Sequence, residues 1–136
     1  MKVIIDANIL FSALLKKGLT RRVLFIPEIE LYSPEFLFEE LAKYRNYLLK
    51  KFLGKPEEFE LLLELLTSQI KFIADKELKP FLPASASLIE DSKDWLYLAC
   101  ALKEDAIIWS NDKSFKKQKR IKTFTTIEMK KEFGIL

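Results

Sequence analysis

The chain has 136 residues, 49% hydrophobic and 32% charged, with a formal net charge of +3; this suits a single soluble domain spanning 1–136, since compact domains commonly run to about 100–150 residues. Histidine is absent and Cys100 is the one cysteine, which excludes Ser–His and Cys–His nucleophiles, histidine acid–base chemistry, the usual zinc sites and an internal disulfide. Apolar runs stop well short of the roughly 18 residues a membrane span needs, and the N-terminus carries no cleavable signal pattern, so no membrane association and a cytoplasmic location are expected.

In chain order, 2–5 is a short apolar run that reads as a fully buried strand, and it ends abruptly on Asp6. Asp6 fits two roles, a cap for the helix expected over 7–17 or a ligand at the carboxyl end of the strand. Thr20 is expected to cap a second short helix, and the alternation in 28–32 predicts a second strand. Ser33 followed by Pro34 reads as the N-cap and first position of a helix running over 36–52. On that helix Phe36, Leu37, Leu41, Tyr44 and Leu48 share one side, and Glu40 falls within the same arc while Glu39 turns toward solvent. A Gly54-Lys55-Pro56 break then leads into a leucine-rich helix over 57–68, so that about 34–68 forms a helical hairpin.

A third strand is expected over 70–73, a short helix from Asp75 interrupted at Pro80 and Pro83, and a helical turn at 84–89. Asp91 can cap the next helix, which places Asp94 in its first turn ahead of an almost wholly apolar stretch, 95–102. The fourth strand, 107–109, runs into Ser110-Asn111-Asp112 and repeats the opening order of apolar strand, acid, helix. A short strand near 122–124 and a final helix capped by Thr125, with Glu128 in capping-box spacing, complete the chain.

Alternation of strands and helices implies a mostly parallel sheet with helices on both faces, so the carboxyl ends of the strands share one edge. Asp6, Asp94 and Asp112 fall at that edge, and Glu40 can lean over it. Carboxylates gathered so closely repel one another unless a cation neutralises them. Oxygen donors without histidine or thiolate select a hard ion, Mg2+ or Mn2+. Downstream, Lys113, Lys116, Lys117, Lys119, Arg120 and Lys122 crowd one segment, which suits either a solvated surface or a track for a polyanion.

Four motifs together resemble the PIN domains, metal-dependent ribonucleases that include the toxin halves of many toxin–antitoxin pairs. They are Val3-Ile-Ile-Asp6-Ala-Asn8, Ser33-Pro-Glu-Phe-Leu-Phe-Glu-Glu40-Leu, Asp91-Ser-Lys-Asp94-Trp-Leu-Tyr-Leu-Ala-Cys-Ala-Leu102 and Trp109-Ser-Asn-Asp112-Lys-Ser-Phe115. The resemblance implies a three-layer α/β/α sandwich around a mostly parallel sheet of four to five strands. It implies Asp6, Glu40, Asp94 and Asp112 as a catalytic and metal-binding quartet, with Asn8 and Ser110 in supporting positions. Glu39 could stand in for Glu40, though helical phase favours Glu40; Asp91 fits an accessory ligand and a cap equally. The implied reaction is hydrolysis of RNA phosphodiesters by water activated on one or two metal ions. The basic segment, Lys113, Lys116, Lys117, Lys119 and Arg120, would then follow the RNA backbone.

An antitoxin or other protein partner is consistent with the same resemblance, and the leucine-rich hairpin suggests a homodimer. The competing reading is a noncatalytic PIN-like module that binds RNA or protein. A dinucleotide-binding fold is weaker, because the chain has only three glycines and none cradles a phosphate after the first strand.

Overall fold

A computed structural model describes residues 1–135. Five strands, β1 (Lys2–Ile5), β2 (Glu30–Pro34), β3 (Ile70–Ile73), β4 (Ile107–Trp109) and β5 (Thr123–Phe124), form one sheet in the order β3-β2-β1-β4-β5. Every pairing is parallel. The helices are α1 (Ala7–Leu15), α2 (Leu19–Leu24), α3 (Phe36–Lys51), α4 (Pro56–Ser68), α5 (Asp75–Leu78), α6 (Leu82–Leu88), α7 (Trp95–Glu104) and α8 (Thr126–Glu132). The fold is the expected α/β sandwich, at the upper end of the expected strand count.

The central strand shows how the layers are held. Side chains alternate across a strand; Val3 and Ile5 pack into a core with α1, α2, α3, α4 and α8, whereas Ile4 packs into a second core with α7, Leu78 and Phe115. All three are wholly buried, and burial of each contributes about 1.5–3 kcal/mol. A strand apolar on both faces is what a sheet covered on both sides requires. Among the described residues no helix is long and apolar enough to cross a membrane.

Three local expectations are overturned. Ser33 and Pro34 close β2 instead of opening a helix; α3 starts at Phe36, and its flanking Glu35 provides no side-chain cap. Ser33 is fully buried and donates its hydroxyl to the Ile5 carbonyl at 3.2 Å, so it is committed to the neighbouring strand. The register of β2 with β1 ends at Tyr32, so the N–H that Pro34 lacks breaks no bond to β1. Thr20 lies inside α2, which is flanked by Gly18 and has no side-chain cap; its hydroxyl instead accepts from Ser12 at 3.5 Å. Pro83 does not interrupt a helix but occupies the first turn of α6, where its missing donor has no intrahelical partner to lose.

Other signals read locally hold. Thr125 accepts from the Glu128 amide at 3.2 Å while Glu128 accepts from the Thr125 amide at 3.0 Å, a complete capping box on α8. Between α3 and α4 the chain turns through Gly54 at φ +151°, where a side chain would meet the Phe52 ring at 2.9 Å. Across that turn Phe52 and Phe59 meet edge-on, and Arg45 pairs with Glu60. Cys100 is buried in α7, and that burial pushes its thiol pKa up, away from reactive thiolate.

Candidate functional site

The strand order places the site. From β1 the chain moves outward through β2 to β3, then crosses to β4 on the other flank of β1. That reversal opens a crevice at the carboxyl ends of β1 and β4, the usual position for a ligand in an open α/β sheet. Here the structure has a cavity of about 450 Å3, and Asp6, Asn8, Glu40, Asp91, Asp94 and Asp112 all line it. They come from four separate parts of the chain: the β1–α1 junction, α3, the segment before α7 and the segment after β4.

Asp6 follows β1 directly and is 6% exposed. Its Oδ1 accepts from the Ile9 amide at 3.1 Å, so it caps α1, and its Oδ2 accepts from the Ser110 hydroxyl. Burial dominates its electrostatics and pushes the carboxyl pKa up to about 6; the Ser110 and Ile9 hydrogen bonds oppose the rise, while the charges of Asp112 and Glu40 add to it. Asp6 is therefore a cap and a cavity-facing acid at once.

The repeat expected at the end of β4 is shifted. Ile5 pairs in register with Trp109, so the counterpart of Asp6 is Ser110, and Asp112 lies two residues farther on. Ser110 is 1% exposed and accepts from the Asp112 amide at 3.0 Å as well as donating to Asp6. Asp112 accepts from the Ser114 amide at 2.9 Å and so opens a 3-10 turn, Lys113–Lys117, instead of the expected helix. Ser114 also donates its hydroxyl to Asp94 at 2.8 Å. Desolvation raises the Asp94 pKa, against that hydrogen bond and with the charges of Asp112, Asp91 and Glu40.

Glu40 is half-buried in α3 and accepts from the Tyr97 hydroxyl. Tyr97, 3% exposed in α7, is held well above the ordinary phenol range by burial and by Glu40, and so stays a proton donor. Glu39 lines a different cavity, with Glu35, Phe36, Phe38, Phe72 and Asp75. Asp91 accepts from the Lys93 amide at 3.0 Å and caps the 3-10 turn Ser92–Asp94 that precedes α7.

The basic segment does not line this cavity; Lys93 does. Lys117 lines an adjoining cavity with Asp91 and Ser114, and Lys116 and Lys119 line another. Lys116 also pairs with Glu128, drawing that carboxyl down to about 2. Lys113 and Arg120 are exposed. Tyr97, Ser114 and Lys93, which line the cavity or hold its acids, are not among the site residues expected from the sequence. Tyr97 stands three residues after Asp94, a spacing that places two side chains on one face of a helix; Ser114 stands two after Asp112, the offset of an Asx-type turn.

Among the described residues no three acids, histidines or cysteines stand ready in a metal-holding arrangement. Each of the four acids is engaged by its own hydrogen-bond donor. The donor chemistry nonetheless fits a hard divalent cation: the lining carboxylates offer oxygen alone, and the Asp6 pKa, raised chiefly by burial, is raised further by the charges of Asp112 and Glu40, a contribution a cation would reverse.

The chain is similar in fold to VapBC2 from Rickettsia felis bound to a DNA fragment from their promoter, with a TM-score of 0.68 at 18% identity over 92% of this chain and 98% of that one. It is also similar to VapBC-1 from nontypeable Haemophilus influenzae, with a TM-score of 0.60 at 17% identity over 93% of this chain and 99% of that one. No curated protein matches the sequence. The family model for the PIN domain matches residues 4–133, a span that includes Asp6, Glu40, Asp94 and Asp112, and the chain belongs to the PIN domain family.

Proposed function

We propose that this chain is a divalent-metal-dependent ribonuclease that hydrolyses phosphodiester bonds in single-stranded or structured RNA. The observation that carries the reading is the convergence of Asp6, Glu40, Asp94 and Asp112, from four parts of the chain, on one cavity at the switch point of the sheet. These acids are the proposed catalytic and metal-holding groups, with Asn8, Ser110 and Asp91 in support and Mg2+ or Mn2+ as the cofactor. The chemistry supplied by a hard divalent ion there is acidification of water and neutralisation of charge on the phosphodiester.

The chain's own residues set the geometry. Ser110 and the Ile9 amide fix both oxygens of Asp6, so its carboxylate faces the crevice without rotamer freedom to lose. Tyr97 orients Glu40, and Ser114 ties Asp94 to the segment carrying Asp112. Lys93 lines the same cavity and is the cation placed to meet a phosphate oxygen. Lys113, Lys116, Lys117, Lys119 and Arg120 follow Asp112 and are the proposed continuation of the backbone track.

The reading extends to a toxin of a toxin–antitoxin pair with a protein antitoxin as partner, supported by membership of the PIN family and by the likeness to the VapBC structures. Exposed Leu61 and Leu65 on α4 support self-association. A second reading, a noncatalytic module that binds RNA or protein, is favoured by the lack of a ready-made ligand set among the described residues. The deciding experiment incubates single-stranded RNA with the wild type and with Asp6→Asn, in EDTA and in Mn2+. Cleavage by the wild type in Mn2+ alone, lost in a folded variant, is the expected result; equal cleavage by both overturns the assignment. Calorimetric titration with no Mn2+ uptake by the wild type favours the noncatalytic module.

A further inference from the structure

The cavity that holds the acids continues along the groove between α1 and α3, and its character changes on the way. Beyond Glu40 the α3 side is lined by Tyr44 and Tyr47, and the α1 side by Phe11. Glu40, Tyr44 and Tyr47 follow one another at helical spacing on one face, so Tyr47 lies about 10 Å along the axis from Glu40. Both tyrosines are substantially exposed, at 41% and 56%. An apolar helix face of this composition normally closes against the core, as Leu41 and Leu48 do; these rings remain open to the cavity.

We propose that Tyr44 and Tyr47 form a base-stacking subsite, which takes the unpaired bases of a single-stranded RNA next to the phosphate held at the acidic end. The inference rests on the ribonuclease reading for the place of that phosphate. Two observations point to nucleotides. First, each ring has a lysine ammonium over it, Lys43 at 5.4 Å from the Tyr44 centroid and Lys51 at 5.8 Å from the Tyr47 centroid. Alternation of aromatic rings with cations is what a single strand needs, a surface for each base and a positive charge for the phosphate beside it. Second, the acidic end repels a polyanion, and among the described residues Lys93 is the one cation in the cavity lining; Lys43 and Lys51 add positive charge at the tyrosine end.

The rings are also prepared for the task. Phe11 meets Tyr44 edge-on at 5.7 Å and an interplanar angle of 64°, which braces the ring. Fully buried Leu48 forms part of the floor. The span of about 10 Å from Glu40 to Tyr47 corresponds to about three stacked nucleotides at 3.4 Å each. Stacking tolerates any base, since every base offers a π-face; the subsite therefore selects unpaired strands over duplexes and imposes little sequence preference.

The test measures binding in EDTA, where no cleavage occurs, with fluorescein-labelled decaadenylate as probe and inorganic polyphosphate as a base-free polyanion. Tyr44→Ala and Tyr47→Ala should each weaken decaadenylate binding about tenfold, Tyr44→Phe and Tyr47→Phe should stay within about twofold of wild type, and polyphosphate binding should not change. Circular dichroism confirms that the exposed substitutions leave the fold intact. The proposal is overturned if the wild type does not bind decaadenylate, if the double alanine variant binds it as well as wild type, if phenylalanine is as damaging as alanine, or if polyphosphate binding falls in step. A double alanine variant that binds RNA normally but loses a protein partner assigns the groove to that partner and also overturns it. Ring-dependent binding without cleavage by the wild type leaves the subsite standing and removes the hydrolytic reading. Cleavage abolished by Asp6→Asn, with ring-independent binding, does the reverse.

Discussion

Ser110 donates its hydroxyl to Asp6 Oδ2 across the seam between β1 and β4 while accepting the Asp112 amide at 3.0 Å. One buried side chain thus joins two acids that are far apart in sequence. Its hydrogen bond to Asp6 favours the ionised carboxylate, against the burial that disfavours it.

Ser110→Ala should therefore raise the Asp6 pKa further above about 6 and leave the Asp112 amide without its partner. Loss of a buried hydrogen bond costs about 1–2 kcal/mol of stability. The expected result is a urea midpoint lowered to match and an acidic limb of the cleavage–pH profile moved to higher pH. A limb that stays in place would show that Ser110 does not tune Asp6.

Tyr97→Phe keeps the ring, which packs edge-on against Phe36, and removes the donor to Glu40. Glu40 is half-exposed and can return to water, so the stability loss should stay near 1 kcal/mol. Activity depends on where the freed carboxylate points, and a fall of about tenfold in kcat/KM is expected. Unchanged kinetics would mean that Glu40 needs no orientation by Tyr97.

How much of this was legible in the sequence depends on whether a signal was local. The run 2–5 ending on Asp6, and the Thr125–Glu128 capping box, carry their meaning within a few residues, and the structure has both. Ser33-Pro34 reads as a helix start because the local pattern is the same in either setting. The Ile5 carbonyl and the pairing with Phe72 of β3, both from other strands, commit Ser33 to β2. Helical phase alone separates Glu40 from Glu39, and the two do line different cavities. That same periodicity groups Tyr44 with the core face, because it does not distinguish a core from a groove. The donors Ser110, Ser114 and Tyr97 act through partners 104, 20 and 57 residues away, and no local pattern encodes such a pairing.

The separation of Glu39 from Glu40 gives a direct comparison. Glu40→Gln removes charge from the cavity lined by Asp6, Asp94 and Asp112, and cleavage should fall by a factor on the order of 100, as for loss of a group acting in acid–base or electrostatic catalysis. Glu39→Gln alters the other cavity and should leave cleavage within about twofold. Assays at saturating Mn2+ check both, and a larger loss in Glu39→Gln would transfer the role.

On the proposed metal-dependent reading, protons and metal compete for Asp6. With a carboxyl pKa of about 6, metal uptake must displace a proton below that pH and need not above it. Mn2+ affinity should therefore rise about tenfold per pH step on the acid side of 6 and level off above about 7. Calorimetry between pH 5 and 8 reads the slope, and a flat profile would exclude Asp6 from the ligand set.

The same shift fixes a sign for stability. The folded-state pKa of Asp6 is raised from 3.8 to about 6, so between those values the unfolded chain gives up a proton that the folded chain keeps. The contribution of Asp6 to the stability of the metal-free protein is then most favourable below about pH 4, falls as pH rises through that window, and carries its full penalty above about 6, on the order of 3 kcal/mol. Asp6 is 6% exposed, so solvent screens little of this. Asp6→Asn removes the charge and keeps an oxygen for the Ile9 amide, but its NH2 group must face Ser110, whose hydroxyl then needs a new acceptor. The net expectation in EDTA at pH 7.5 is a variant more stable than wild type by about 1–2 kcal/mol. Adding Mn2+ should reverse the order, because only a protein that binds the ion is stabilised by it, by about 2.7 kcal/mol at a free concentration of 100 Kd. Urea denaturation of both proteins in EDTA and in Mn2+ measures the four midpoints. A variant less stable than wild type in EDTA would show that Asp6 serves the fold chiefly as a cap, and equal stabilisation of both proteins by Mn2+ would place the ion elsewhere.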